Sequence, residues 1–403
     1  MTPTRPARTL DEPALLERMQ LVAEAFRPAA PVDRRSLFSG RTDEIAELFA
    51  VAAQPGQHAV VYGERGVGKT SLAAVVSELL ASSGLLTVRA TCDSGDDFSS
   101  VWRKALGEIA LHTEKRGIGF SAVSTDVISS ATVALGDGTV TPHAVSRALD
   151  ALGRPRPLAV FLDEFDRLSD SACRALFTDT IKLLSDRAAS VTLVLIGVAD
   201  TVDELIREHR SIERALVQVR MPRMARGELA EIARRGIGSA QMTIEEAAVD
   251  RVTAISQGLP HFTHLLTQLA AQAALSERHA DVGGAEVDFA IERAIRRAQQ
   301  SVTDAYLRAE TVGAPVLAAA LAEDDEFGFF GTSDVAVQLE HVDDTADRDE
   351  LAAALDRLAN ELGILQAREA ADGRRYRFAN PLLPPYIVMR GLANGVVSTR
   401  DLS

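Results

Sequence analysis

Apolar residues occur along the chain in two alternating patterns, short unbroken runs and stretches with a 3.6-residue period, and these predict strands and helices in turn. The runs fall at 58–63, 85–91, 158–162, 190–199 and 216–221, while helical periodicity appears at 71–80 and 98–115. Leu158–Leu162 is apolar at every position, as a strand covered on both faces must be, and strands separated by helices predict a parallel sheet. After Pro222 the strand signal stops, and helical patterns follow at 227–235, 244–256, 260–276 and 287–306. The last segment predicts helices at 315–322, 333–339 and 348–362, then a hairpin of 364–368 with 375–378 across the favoured turn Ala371-Asp372-Gly373. These changes of pattern divide the chain into an N-terminal arm (1–30), an α/β core (31–222), a helical segment (223–305) and a domain of three helices and a β-wing (306–395). Five prolines surround one short amphipathic stretch, Leu15–Phe26, in the arm, which is expected to be flexible. Residues 117–143, rich in Gly, Ser and Thr, read as an irregular insertion.

The first run breaks into glycines and then into a helix. Gly63, Gly68, Lys69 and Thr70 fit G-x-x-x-x-G-K-[ST], the Walker A spacing. A loop of this kind turns successive backbone N–H groups inward at phosphate oxygens, and the helix dipole adds to the attraction. Gly63, Glu64, Arg65, Gly66, Val67, Gly68, Lys69, Thr70 and Ser71 are therefore candidate nucleotide contacts, with Lys69 on the β- and γ-phosphates and Thr70 on Mg²⁺. The third run ends in adjacent acids, Asp163 and Glu164. Ligands of open α/β sheets lie beyond the carboxyl ends of the strands, which places this pair beside the phosphate loop. That is a Walker B arrangement, with Asp163 holding Mg²⁺ through its water shell and Glu164 deprotonating the attacking water. Asp166 and Arg167 read as helix-entry and surface residues.

Composition narrows the setting. No apolar run is long enough to cross a bilayer, and two cysteines, Cys92 and Cys173, make neither a disulfide framework nor a zinc cluster, so a cytoplasmic protein is expected. A net charge of −14 argues against a chain that coats nucleic acid, so any DNA contact must be local. Lysine stands only at Lys69, Lys104, Lys115 and Lys182, and arginine carries the remaining positive charge.

Three further segments carry a resemblance. Asp163–Leu168 is similar to the "DE-x-D-x-L" motif, and Ile196–Asp203 to the "IGIAN-T-x-D" sensor strand, of AAA+ ATPases of the origin-recognition initiator (Orc/Cdc-like) type. Gly40-Arg41 opens a "GR-x-x-E" segment like the one that encloses adenine in AAA+ and STAND ATPases. The resemblance spans roughly residues 32–390 and implies a P-loop ASCE/AAA+ core with a parallel five-stranded sheet, an all-helical lid and a C-terminal winged helix. It puts Phe38 and Arg41 near the base, with a plain N-terminal helix as the other reading. Asp200 falls at sensor 1, where the family usually has asparagine. Arg214 becomes the candidate for an arginine acting on a neighbouring subunit's nucleotide, with Arg210 in reserve and a surface role as the alternative. Pro260 and His261 fall where initiators carry a sensor 2 arginine and STAND proteins a "GLP" motif, so both are expected near the nucleotide unless they form a helix-capping turn.

On the wing, Arg374, Arg375 and Arg377 could rest on a DNA backbone. The helix preceding it carries Asp347, Asp349, Glu350, Asp356 and Glu361 against Arg348 and Arg357, a charge that phosphates repel. The leading expectation is an ATP-hydrolysing switch with bound ATP and Mg²⁺ that assembles with itself or partners, on DNA. A slow STAND-type ATPase acting through protein partners, and a scaffold holding nucleotide structurally, are the alternatives.

Overall fold

The computed structural model describes residues 10–28, 40–115, 138–206, 211–322, 328–341, 348–371, 373–398 and 402. The five apolar runs become β1 (His58–Gly63), β2 (Leu86–Thr91), β3 (Leu158–Asp163), β4 (Val191–Val198) and β5 (Leu216–Arg220), all parallel in the order β2-β3-β4-β1-β5. The register sets Gly63 opposite Val198 and Thr91 opposite Asp163, so the phosphate loop and the acidic end of β3 emerge along one edge.

The faces of the sheet have separate cores. On one, Phe98, Trp102 and Phe177 pack from the helices Phe98–Lys115 and Ser171–Asp186, with Trp102 stacked on Phe177 at 5.8 Å. On the other, Leu72 and Val76 of the helix Lys69–Ser82 join Val61 and Phe161 in a cluster that continues into the lid and the C-terminal domain. This shared core unites the three domains.

The lid comprises the helices Arg226–Ser239, Glu246–Ser256, Pro260–Ser276 and Gly284–Arg296, with a two-stranded parallel pair, β6 (Thr243–Ile244) and β7 (Asp281–Val282). The single helix expected over 287–306 is two, the second being Gln300–Ala309, because the chain turns at 297–299. The described part of the expected flexible arm is also different. Residues Glu12–Ala25 form a helix docked on the lid, and Phe26, 1% exposed, occupies the space that a Cβ on Gly236 would need, only 2.2 Å from its ring. Gln268 donates to the Phe26 carbonyl at 2.8 Å, fixing the chain where it leaves that helix. Most of the expected insertion lies outside the described residues, but its end caps an additional helix, Pro142–Gly153, through Thr141.

The C-terminal domain runs helix Ala314–Leu321, β8 (Phe330–Gly331), helices Thr332–His341 and Arg348–Asn360, then the hairpin β9 (Leu365–Ala370) and β10 (Gly373–Phe378). This is the element order of a winged helix. A last helix, Leu383–Ala393, returns to pack on the lid. Among the described residues no helix is long and apolar enough to cross a membrane.

Candidate active site

β1 delivers the chain to Gly63, where φ is 149° and a Cβ would lie 2.4 Å from the Met221 carbonyl, so only glycine fits. Gly66 and Gly68 also take positive φ, and the helix Lys69–Ser82 starts at once after them. Lys69 is buried, and its Nζ donates to the carbonyls of Gly63 at 2.9 Å and Glu64 at 2.6 Å. Burial pushes its ammonium down to about 8, against the opposing pull of Asp166, Asp163 and Glu64. The free site carries the cation below pH 8 and loses it above, whereas a bound phosphate raises the lysine's pKa. ADP affinity should therefore be level below pH 8 and fall by up to about tenfold per pH unit above it, a trend that equilibrium titration at several pH values will show.

Asp163 stands at the end of β3 and accepts hydrogen bonds from the Thr70 hydroxyl and, at 2.8 Å, from the Glu164 N–H. Burial still leaves its carboxyl above the ordinary aspartate value. Thr70 and Asp163 therefore offer adjacent hard oxygen donors, the type of donor that Mg²⁺ takes, beside the phosphate loop. Glu164 follows in a left-handed conformation, φ 52°, and its carboxylate accepts from Arg167 Nη1 at 2.8 Å. Asp166 faces the same cavity, and its Oδ1 accepts the Val198 N–H at 2.9 Å. Asp166, in the first turn of the short helix Phe165–Arg167, and the exposed Arg167 thus fit the helix-entry and surface reading, and both also line the cavity.

A cavity of about 960 Å³ joins these groups. The lid closes it with Pro260 and His261, and Pro260 Cγ sits 3.8 Å from where a Cβ on Gly68 would be. Burial holds the His261 imidazole below its usual pKa, and its Nδ1 pairs with the Pro28 carbonyl at 2.9 Å. Arg41 also lines the cavity; it is buried, pairs with Glu44 at 3.0 Å and donates to the carbonyls of Val67 and Pro222. It thus fastens the phosphate loop to the start of the lid. Phe38 and Arg210 lie outside the described residues. Sequence reasoning missed His264, one helical turn beyond His261, and Leu382, Tyr386 and Met389 of the C-terminal domain, all of which line the cavity. The spacing of the two histidines could have exposed His264, but nothing local signals the other three.

The remaining candidates sit elsewhere. Asp200 shares a small pocket with Gly63, Glu64 and Val67 of the phosphate loop, but its carboxylate takes a two-pronged ion pair from Arg377, at 2.5 and 2.7 Å, and Gln366 accepts from the same guanidinium at 2.7 Å. Asp200, the sensor 1 candidate, and Arg377, one of the three arginines expected on a DNA backbone, are thus engaged with each other in this structure. Arg377 is buried, Arg375 is partly buried and donates to the Phe329 carbonyl at 3.0 Å, and Arg374 pairs with Asp356 at 2.9 Å. Of the three, Arg377 and Arg374 meet carboxylates, whereas Arg375 meets a neutral carbonyl and Arg374 stays partly exposed. Arg214 precedes β5, whose Leu216 pairs with His58 at the start of β1. It is therefore about 16 Å of strand away from its own phosphate loop.

Residues 37–196 match the AAA ATPase domain family. No curated protein matches the chain in sequence. Among solved structures, the Walker-type ATPase paby2304 of Pyrococcus abyssi is similar, with 15% identity and a TM-score of 0.54 over 89% of this chain and 98% of that one. The ORC2 protein of Aeropyrum pernix is similar at 15% identity and a TM-score of 0.51, over 93% of this chain and 98% of that one. Residues 37–196 are thus an AAA ATPase domain, and the chain around them has a fold similar to that of the ORC2 and paby2304 structures.

Proposed function

We propose that the chain is a Mg²⁺-dependent ATP-binding and ATP-hydrolysing switch whose C-terminal domain moves with the state of the nucleotide. The observation that carries this reading is the convergence of Lys69, Thr70, Asp163 and Glu164 on one cavity. Backbone N–H groups of Gly63–Ser71 cradle the phosphates, and Lys69 exchanges its two loop carbonyls for phosphate oxygens. Thr70 and Asp163 hold Mg²⁺, which when bound neutralises charge on the β- and γ-phosphates. Glu164 takes the proton of the attacking water as the bond between the γ-phosphorus and the bridging oxygen breaks. Arg41, Pro260 and His261 flank the rest of the nucleotide, and Arg214 serves a neighbouring subunit if the chain assembles. Removing Lys69 tests the site. Lys69→Ala should weaken ADP and ATP binding by roughly 10–100-fold, as loss of a charged hydrogen-bond donor does. EDTA should stop turnover in the wild type, and tight Mg²⁺-independent binding by Lys69→Ala would refute the assignment.

The Asp200–Arg377 pair favours the slow, protein-acting form of this switch over action on DNA. It ties the segment just after β4 to the wing, so the C-terminal domain is fastened beside the strand that pairs with β1 at the phosphate loop. The same contact withdraws Arg377 from any surface role. At low salt, about 50 mM, where phosphate contacts are strongest, duplex DNA should not retain the protein. Retention lost in Arg374→Ala/Arg375→Ala would restore the wing as a nucleic-acid contact.

A further inference from the structure

The wall of the cavity formed by β4 carries no polar side chain. Gly197 and Val198 are its lining residues there, and Asp200, two positions on, is bound to Arg377. The turn after β3 fills the gap. A Cβ on Gly197 would come 3.0 Å from Asp166 Oδ1 and 3.1 Å from the Asp166 nitrogen, so the bare glycine lets this turn lie directly against β4. Asp166 Oδ1 is fixed by the Val198 N–H at 2.9 Å, and Oδ2 has no protein donor among the described residues. Of the charges around the buried Lys69 ammonium, Asp166 acts most strongly.

We propose that Asp166 is a second carboxylate of the hydrolytic site, whose free oxygen accepts a hydrogen bond from the attacking water and aims it while Glu164 removes the other proton. This rests on the ATPase reading above. In the step, the water oxygen bonds to the γ-phosphorus, the bond from that phosphorus to the β–γ bridging oxygen breaks with its electrons going to ADP, and Glu164 receives one proton. Asp166 keeps its charge throughout and contributes orientation, which is worth most when the acceptor is already held in place. The hydrogen bond to Val198 supplies that fixation, and the cations Lys69 and Arg167 offset the repulsion from Asp163 and Glu164.

Asp166→Asn separates this role from a structural one. Its amide oxygen still accepts from Val198, but an N–H donor replaces the water-facing acceptor. Turnover should fall at least about tenfold, with KM for ATP and the melting temperature close to the wild-type values. Asp166→Ala loses the Val198 contact as well and should fall in both turnover and melting temperature. If Asp166→Asn turns over within twofold of a wild type that is itself active and is abolished by Glu164→Gln, Asp166 only holds the turn and the proposal fails alone. If the wild type binds ATP and does not hydrolyse it, the ATPase reading fails and the proposal with it.

Discussion

Glu164→Gln should lower ATP turnover by roughly 10²–10⁴-fold, the usual contribution of a general base, and leave nucleotide affinity nearly unchanged. Gln keeps the length and shape of the side chain and removes only the ability to take a proton. The starting geometry is compatible with this role although Glu164 is engaged with Arg167. Both side chains are about half exposed, and an ion pair in that setting holds by about 0–1 kcal/mol. A triphosphate arriving beside Arg167 therefore has little to overcome in releasing Glu164. A single-turnover measurement with excess enzyme will check the effect without interference from product release. Turnover in Glu164→Gln within about threefold of wild type would mean that another group takes the proton.

The features most legible in the sequence are those that local rules determine. Gly63, Gly66 and Gly68 take conformations that other residues avoid, so the phosphate loop was visible as a spacing of glycines, and the continuous apolar run of β3 made burial on both faces visible as well. What the sequence hid depends on partners far along the chain. Asp200 and Arg377 are separated by 177 residues, and each taken alone fits a solvent or ligand-facing role. The docking of the N-terminal helix depends on Phe26 meeting the bare backbone of Gly236, a match of shapes that no periodicity records. The turn at 297–299 has neither glycine nor proline, so the two helices around it read as one. Asp166 and Arg167 were visible as residues, but only the closeness of β4 to the turn after β3 brings them into the cavity.

The largest expected effect on stability lies at Glu64 and Arg223. Their side chains are each 8% exposed, joined from Nε to Oε2 at 2.8 Å, and they connect the phosphate loop to the start of the lid. The arginine's surroundings are shaped for it. A Cβ on Gly258 would lie 2.5 Å from Arg223 Cβ, and one on Gly328, at the entry to the C-terminal domain, 2.5 Å from its Nη2. Glu64→Ala leaves a buried guanidinium without this counter-charge, which costs about 3–5 kcal/mol. With a shift of roughly 2 °C per kcal/mol in a chain of this size, the main unfolding transition should move down by roughly 6–10 °C. The pair itself need not be net stabilising, because desolvating two charges offsets most of their attraction. Glu64→Leu/Arg223→Met, which fills the same space with apolar atoms, should therefore melt closer to wild type than Glu64→Ala does. If the double variant is the less stable of the two, the ion pair contributes more than its desolvation removes. If Glu64→Ala melts within about 2 °C of wild type, water reaches Arg223 and the pair is not a buried link between the domains.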